Sequence, residues 1–253
     1  MTLIFKVADK LSPGEEALGV LRWAPVYADS FTSHQYFEHI HGTHQAQQTL
    51  LTPGEVGCTL AHLGIYREAV ARDAAALIFE ADIEVTESLL SRAKKVLKVY
   101  GEVDFIHLGI HPHRSFFGKR PRSSVAVADP RYFLYGTFAY YISPHAAQHL
   151  LDFHDRRLRR ADSWQEFFSE HDIVPHYYPL VRHPDERGSI DTERDLARLE
   201  HPLSLMLLAN QLSQLVRRKL MTLYRLVALV PLTEERCCLA EDRDGDSNQP
   251  PRH

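Results

Sequence analysis

The stretch AAALIFEAD, residues 74–82, decides the fold, because its apolar run ends abruptly in Glu80 and Asp82. An apolar run of this length without polar alternation is typical of a strand buried on both faces of a sheet. Helical periodicity precedes it at 53–72 and follows it at 86–100. Strands that alternate with helices predict an α/β domain with a mixed, mostly parallel sheet.

Other segments extend this pattern. Thr52-Pro53-Gly54-Glu55 is a capping-box signature that predicts where the first of these helices begins. Ser143-Pro144 predicts another helix start, and Asp162 is a candidate cap for the helix after it. Further strands are predicted at 2–8, 105–108, 137–142 and 173–180, whereas 28–48 and the basic stretch 111–131 are predicted to be loops.

The chain divides into three parts. Residues 1–191 are predicted to form the α/β domain, 192–236 a helical C-terminal extension, and 237–253 a disordered tail. Between 214 and 226 the extension carries four basic residues and no acid, beside regularly spaced leucines. This pattern predicts binding to an anionic membrane surface, and its alternative is a C-terminal helix packed on the core.

Composition excludes several classes of protein. The chain has 253 residues, is 44% hydrophobic and 25% charged, and has a net charge of -4. This balance excludes a disordered, collagen-like or disulfide-scaffold chain and provides no overall basic field for nucleic acid. Three cysteines favour a reducing compartment. With no export signal and no membrane-length apolar run, we expect a cytoplasmic protein, peripheral on the inner membrane if the extension binds lipid.

Glu80 and Asp82 are the first candidate functional residues. On an extended chain, carboxylates two residues apart point to the same side. At the carboxyl edge of an α/β sheet, where ligands bind, two such groups can hold Mg²⁺ or Mn²⁺. The alternative is an ordinary solvated strand end.

The 16 histidines are the second candidate group. Four of them crowd the segment 34–44, and three more lie at 107–113. A metal-dependent hydrolase would need such ligands to converge in space, and solvated loop histidines are the simpler interpretation. His62 differs because it lies inside the helix predicted at 53–72, where it is either an active-site residue or a buried helix histidine.

Three segments in order resemble glycosyltransferase family 25, which contains bacterial lipooligosaccharide galactosyltransferases. Residues 51–62, LTPGEVGCTLAH, are similar to the family's helix motif, and ALIFEADI at 76–83 is similar to its acidic motif. Residues 136–143, GTFAYYIS, resemble a third family segment. Ser189-x-Asp191 resembles its closing segment more weakly.

The resemblance implies a GT-A-like fold, a single domain that binds a nucleotide sugar. It implies transfer of galactose from a UDP-sugar to a lipooligosaccharide acceptor, with inversion and with Mn²⁺ or Mg²⁺. Asp82, with Glu80 in support, would hold the cation. Asp162 would lie close to the acceptor, as base or sugar ligand, and Glu80 is the other catalytic candidate. The donor site would include His62, Thr137 and Tyr140.

Two departures from the family pattern leave a second function open. The strand at 2–8 lacks the family's N-terminal signature, and Ala81 replaces the middle acid of its acidic motif. A weakened or inactive family member that acts as a scaffold in polysaccharide assembly is therefore the alternative.

Overall fold

The computed structural model describes residues 1–47, 50–110, 125–126, 134–182, 190, 192–194 and 234–235. The strands in these residues are β1 (Thr2–Val7), β2 (Leu21–Trp23), β3 (Ala75–Glu80), β4 (Phe105–Ile110), β5 (Val125–Ala126), β6 (Ala139–Ile142), β7 (Pro175–Arg182) and β8 (Glu234–Glu235). The helices are α1 (Pro13–Ala17), α2 (Ser33–Gln47), α3 (Pro53–Ala71), α4 (Glu87–Tyr100), α5 (Pro144–Asp155) and α6 (Trp164–Glu170), with a 3₁₀ turn at Ala28–Ser30.

Six strands form one sheet in the order β2-β1-β3-β6-β4-β7. β1 lies parallel to β2 and β3, and β4 lies parallel to β7. β6 is antiparallel to both of its neighbours, β3 and β4. The predicted mixed, mostly parallel α/β sheet is therefore confirmed. The short strands β5 and β8 pair with each other in a separate two-stranded sheet, inside stretches predicted to be loop and helix.

The sheet is buried on both faces, as the apolar run of β3 predicts. On one face, α3, α5 and α6 pack over residues such as Ile78 and Tyr140. On the other face, α4 packs over Leu77 and Phe79. Alternation along β3 thus sends successive side chains into two separate hydrophobic cores.

The predicted helix starts at Thr52 and Ser143 are confirmed. The Thr52 hydroxyl accepts a hydrogen bond from the Glu55 amide, and the Glu55 carboxylate accepts one from the Thr52 amide, which completes the capping box. The Ser143 hydroxyl accepts a hydrogen bond from the Ala146 amide at the start of α5. Because α3 is apolar on most of its surface, it lies deep in the fold.

The prediction of a loop at 28–48 was wrong, because most of this segment forms α2. Its start carries a second capping box: the Gln35 amide donates to the Thr32 hydroxyl, and the Thr32 amide donates to the Gln35 side chain. Ile40 and Thr43 are buried and fasten the helix to the domain. The polar residues that suggested a loop occupy its exposed surface.

Much of the C-terminal part lies outside the described residues. This applies to the basic stretch 111–131 apart from β5, to most of the extension at 192–236, and to the tail at 237–253. Among the residues that are described, no helix is both long enough and apolar enough to cross a bilayer.

Candidate functional site

The candidate site lies at the carboxyl edge of β3, where Glu80 is the last residue of the strand. β3 lies inside the sheet, between β1 and β6. The Glu80 amide donates to the Phe138 carbonyl just before β6 begins, which fixes the edge of the sheet at this residue. Crevices outside the carboxyl ends of strands are where α/β sheets bind ligands.

The Glu80 carboxylate points back into the protein. Its Oε1 accepts a hydrogen bond from the Thr137 hydroxyl, and His62 Nε2 lies 3.6 Å from the same oxygen. The side chain is 27% exposed, so it reaches both the interior and the surface. This edge carboxylate is therefore bonded to the segment that precedes β6 and lies next to a histidine of α3.

His62, next to Glu80, belongs to a buried row of hydrogen-bonded aromatic side chains. His62 Nδ1 lies 2.6 Å from the Tyr140 hydroxyl, which lies 2.8 Å from the Tyr66 hydroxyl. All three residues are buried, and burial raises the pKa of both tyrosines. If Tyr66 donates to Tyr140, and Tyr140 donates to His62 Nδ1, the remaining proton of His62 sits on Nε2 and faces Glu80.

We call Cys58, His62, Tyr66, Glu80, Thr137 and Tyr140 the inner polar cluster. Sequence reasoning named His62, Glu80, Thr137 and Tyr140, and the structure brings all four together. It missed Cys58 and Tyr66. The spacing could have found both, because residues four positions before and after His62 lie on the same face of one helix.

The dipeptide Gly136-Thr137 joins the inner polar cluster to Asp162. The Gly136 carbonyl accepts hydrogen bonds from His107 Nε2 at 3.2 Å and from Trp164 Nε1 at 2.9 Å. The Gly136 amide donates to Asp162 Oδ2 at 3.2 Å. Gly136 has φ of 72°, a conformation that favours glycine. The two candidate carboxylates, Glu80 and Asp162, therefore bind consecutive residues.

Asp162 does not cap a helix, so that prediction was wrong. α6 begins at Trp164, two residues after Asp162, with Ser163 at the N-cap position and no side-chain cap. The Asp162 carboxylate turns instead to Gly136, and its Oδ1 lies 3.7 Å from Arg160 Nε. The side chain is 22% exposed and can be reached from solvent.

His107 has a structural role here. Its Nδ1 accepts a hydrogen bond from the Gly109 amide at 3.1 Å, which leaves Nε2 to donate to Gly136. Burial lowers the pKa of His107 to about 4, so the ring is neutral at pH 7. A neutral donor in the core holds the turn that presents Thr137.

The premise that the chain stays extended from Glu80 to Asp82 was wrong, because the chain turns directly after Glu80. The Ile83 amide donates to the Glu80 carbonyl at 3.1 Å, which closes a turn over Ala81 and Asp82. Both turn residues are exposed. The Val85 amide donates to Glu15 at 3.2 Å and so anchors the far side of the turn.

Within the described residues, one set of at least three Cys, His, Asp or Glu side chains brings its ligand atoms within 4.8 Å of one another: Cys58, His62 and Glu80. Burial and the nearby Glu80 raise the pKa of the Cys58 thiol, while a hydrogen bond with Thr137 works in the opposite direction. A protonated thiol and an imidazole do not suit Mg²⁺ or Mn²⁺, which prefer oxygen ligands. Of this set, only Glu80 fits the expected cation.

The histidines at 34–44 do not converge on a metal. They lie along α2, and none belongs to a set of three ligands in the described part of the chain. His111 and His113 lie outside the described residues. The described histidines therefore give no support to the hydrolase alternative.

The residues after the predicted closing segment return to the start of α3. Ser189 and Asp191 themselves lie outside the described residues. Glu193 Oε2 accepts a hydrogen bond from the Gly54 amide at 2.9 Å, and Arg194 Nε donates to Glu55 Oε1 at 2.7 Å. Gly54 is in the first turn of α3, where backbone amides have no partner within the helix.

An α/β sheet with a carboxylate cluster at its carboxyl edge is the arrangement expected of a ligand-binding α/β enzyme. The family model for glycosyltransferase family 25, described as LPS biosynthesis protein, matches residues 23–163. This match covers more than half of the chain, which therefore belongs to that family. The protein is accordingly a glycosyltransferase of lipopolysaccharide biosynthesis. No curated protein matches the chain significantly.

Proposed function

We propose that the protein transfers a hexose, galactose, from a UDP-sugar to a lipooligosaccharide acceptor, with inversion at the anomeric carbon and with the help of Mn²⁺ or Mg²⁺. The observation that carries the proposal is the link between the two carboxylates through Gly136-Thr137. Asp162 holds the Gly136 amide, and Glu80 accepts from the Thr137 hydroxyl. Two carboxylates fixed by one rigid dipeptide can work at a single reaction centre.

Asp82 and Glu80 are the residues that would hold the divalent cation. Their oxygens suit a hard ion, and Asp82 lies exposed where a diphosphate can approach. A cation bound there would stabilise the negative charge that develops on the departing diphosphate. The hydrogen bond from the Thr137 hydroxyl holds one oxygen of Glu80 in place, so its orientation is set before the donor binds.

Asp162 acts as the base in this proposal. Its carboxylate takes the proton of the acceptor hydroxyl as that oxygen bonds to the anomeric carbon. The bond from the anomeric carbon to the diphosphate oxygen breaks on the opposite face, and UDP leaves with the electron pair. The hydrogen bond from the Gly136 amide orients Asp162 for this step.

The test is the release of UDP from UDP-galactose in the presence of Mn²⁺ and a lipooligosaccharide acceptor. Loss of a general base costs about 10² to 10⁴ in rate, so Asp162→Asn is expected to lose at least about 100-fold. Asp172→Asn, an exposed acid after α6, is the matched control. Transfer by Asp162→Asn at the rate of the parent protein would show that Asp162 is not the base.

The alternative function is a weakened family member that binds glycans or assembly partners without transferring sugar. Ala81 favours it, because it removes one possible metal ligand. The missing N-terminal signature favours it too, and within that strand Lys6 is engaged in a buried ion pair with Glu15, with 2.6 Å between Nζ and Oε1. Sugar nucleotides that raise the melting temperature without any release of UDP would support this alternative.

Binding to an anionic membrane remains a prediction from the sequence, because its residues are not described by the structure. Replacement of Arg217, Arg218 and Lys219 by Gln should release the protein from anionic vesicles at low salt. Each basic residue near such a surface contributes about 1 kcal/mol. Parent protein that does not sediment with these vesicles would overturn the prediction.

A further inference from the structure

Three histidines contact one another in succession at the edge of the sheet opposite Glu80. His145 and His149 lie one turn apart on α5, and His171 follows α6. β6 pairs Ala139 with Phe79 next to Glu80 and ends at Ile142, opposite Ala76. Four strand residues correspond to about 13 Å, so the start of α5 is well separated from the candidate active site.

The two helix histidines bring the same ring nitrogen together. Nε2 of His145 and Nε2 of His149 are 3.2 Å apart. Bonds from Zn²⁺ to imidazole nitrogen are 2.0–2.1 Å, so two ligands of one tetrahedral ion are about 3.4 Å apart. The observed separation is close to that value before any ion is bound.

Both histidines also have a partner for the other ring nitrogen. His145 Nδ1 lies 3.3 Å from Asp104 Oδ1, and His149 Nδ1 lies 3.1 Å from His171 Nδ1. Histidines that bind metal usually donate their second N–H to a carboxylate or another acceptor, which fixes the tautomer and aims the free lone pair. Here Asp104 and His171 can act as those acceptors, leaving both Nε2 atoms as ligands.

The Ser143 hydroxyl, which caps α5, donates to Asp104 Oδ1 at 2.5 Å. Asp104 is thereby fixed relative to the first turn of the helix that carries His145. The His145 side chain is 61% exposed, so an ion can reach the pair from solvent. The arrangement thus combines accessible ligands with a fixed outer shell.

We propose that His145 and His149 form a binding site for a divalent transition-metal ion such as Zn²⁺, Ni²⁺ or Cu²⁺, with Asp104 and His171 as outer-shell partners. Imidazole ligands favour these ions over Mg²⁺ and Mn²⁺. The site is distinct from the cation that the transfer reaction would use, and it lies on the other edge of the sheet. An ion bound there joins successive turns of α5 and stabilises the folded state.

The experiment is calorimetric titration of the full chain, without an affinity tag, with Zn²⁺. We expect one Zn²⁺ per chain at this site, and at least about tenfold weaker binding in either H145Q or H149Q, the lower end of the loss seen even for outer-shell changes. His34→Gln is the matched control, because His34 is an exposed helix histidine, 81% exposed, with Glu38 four residues on. The control should bind Zn²⁺ like the parent protein.

A second variant separates this site from the inner polar cluster. C58S/H62Q removes two of the three ligands of the other set and should leave Zn²⁺ binding at His145 and His149 unchanged. Zn²⁺ should raise the melting temperature of the parent protein but not that of H145Q. Because His145 is exposed, H145Q reports on binding even if H149Q disturbs the fold.

Several results would overturn the proposal: no Zn²⁺ binding by the parent protein, parent-like affinity in H145Q and H149Q, or loss of the site in C58S/H62Q protein that still unfolds cooperatively in urea. Equal affinity for Mg²⁺ would also contradict it. Release of UDP with Mn²⁺ should be the same in H145Q and the parent, so failure of this proposal and failure of the proposed transferase function give different results.

Discussion

The inner polar cluster and the exposed turn that follows β3 are neighbouring regions of the molecule that differ in their surroundings. Glu80 belongs to the inner polar cluster, where its carboxylate accepts a hydrogen bond from Thr137 and lies beside His62. Asp82 lies on the exposed turn that follows β3. Buried polar groups contribute to stability as well as to function because each needs its partner, whereas exposed acids can be changed at little cost to the fold. The two regions should therefore respond differently to substitution.

The largest expected effect is the loss of sugar transfer in Asp82→Asn. A metal ligand at a departing diphosphate stabilises the transition state by several kcal/mol, so we expect at least about a 100-fold loss of rate. The free energy of unfolding should stay within about 0.5 kcal/mol of the parent value. Mn²⁺-dependent release of UDP and urea unfolding measure the two quantities.

Glu84→Gln is the matched control for Asp82→Asn, because Glu84 is another exposed acid close to the same turn. It should change neither quantity. Equal loss of transfer in the two variants would indicate a general effect of charge at this edge, and an unchanged rate in Asp82→Asn would remove Asp82 from the metal site.

The next effect belongs to the inner polar cluster and concerns stability. Tyr140→Phe leaves His62 Nδ1 and the Tyr66 hydroxyl buried without their shared partner. An unsatisfied buried polar group costs about 1–3 kcal/mol, so we expect a loss of about 3 kcal/mol in the free energy of unfolding. Urea unfolding at pH 7 measures it.

Tyr141→Phe is the control for Tyr140→Phe. Tyr141 is the next residue of β6, packs on the other face of the sheet and is only half-buried. Its substitution should cost less than about 1 kcal/mol. If the two variants were equally stable, the hydrogen bonds of the inner polar cluster would contribute nothing.

The sequence predicted those structural features that depend only on residues close together in the chain. The apolar run of β3 predicted a doubly buried strand, and the capping box at Thr52 predicted where α3 begins. Polar composition led to a wrong prediction at α2, although Thr32 and Gln35 carry the same kind of cap. In that segment a local signal was present, but it was outweighed by the many polar residues on the exposed face of the helix.

The candidate site was harder to predict because it depends on contacts between distant residues. Period-two alternation placed Asp82 beside Glu80, but a turn that begins at Glu80 ends the alternation. Gly136 lies 26 residues from Asp162, and no local pattern predicts the hydrogen bond between them. The family resemblance predicted which residues belong to the site, whereas their contacts became visible only in the structure.

A smaller effect concerns His107, which donates to Gly136 beside the inner polar cluster. It is measured as the dependence of the free energy of unfolding on pH. The pKa of His107 is about 4 in the folded protein because of burial, against about 6.5 when unfolded. Between these values the unfolded state binds more protons, so stability is full above pH 6.5 and falls as the pH drops towards 4. His107 should account for a loss of about 2 kcal/mol between pH 7 and pH 5.

His107→Gln removes this titration and should flatten the acid side of the stability profile by about 2 kcal/mol. His154, whose pKa burial lowers to about 3, remains in the variant and keeps part of the slope. Urea unfolding of both proteins at several pH values measures the difference. Parallel profiles for parent and variant would mean that His107 does not lose its charge on folding.

The smallest expected effect lies on the exposed turn, at Ala81. Ala81→Asp restores an acid at the middle position of the motif, next to Asp82 and away from the inner polar cluster. If the turn holds the cation, an added carboxylate should tighten Mn²⁺ binding by up to about tenfold, or about 1.4 kcal/mol, with little change in the free energy of unfolding. Calorimetric titration with Mn²⁺ measures the affinity, and Ala81→Asn is the control that adds the same bulk without the charge. Tighter binding in both variants would indicate a change in the shape of the turn. Unchanged affinity in Ala81→Asp would mean that this position points away from the metal, so that the departure of Ala81 from the family motif has no bearing on whether the protein transfers sugar.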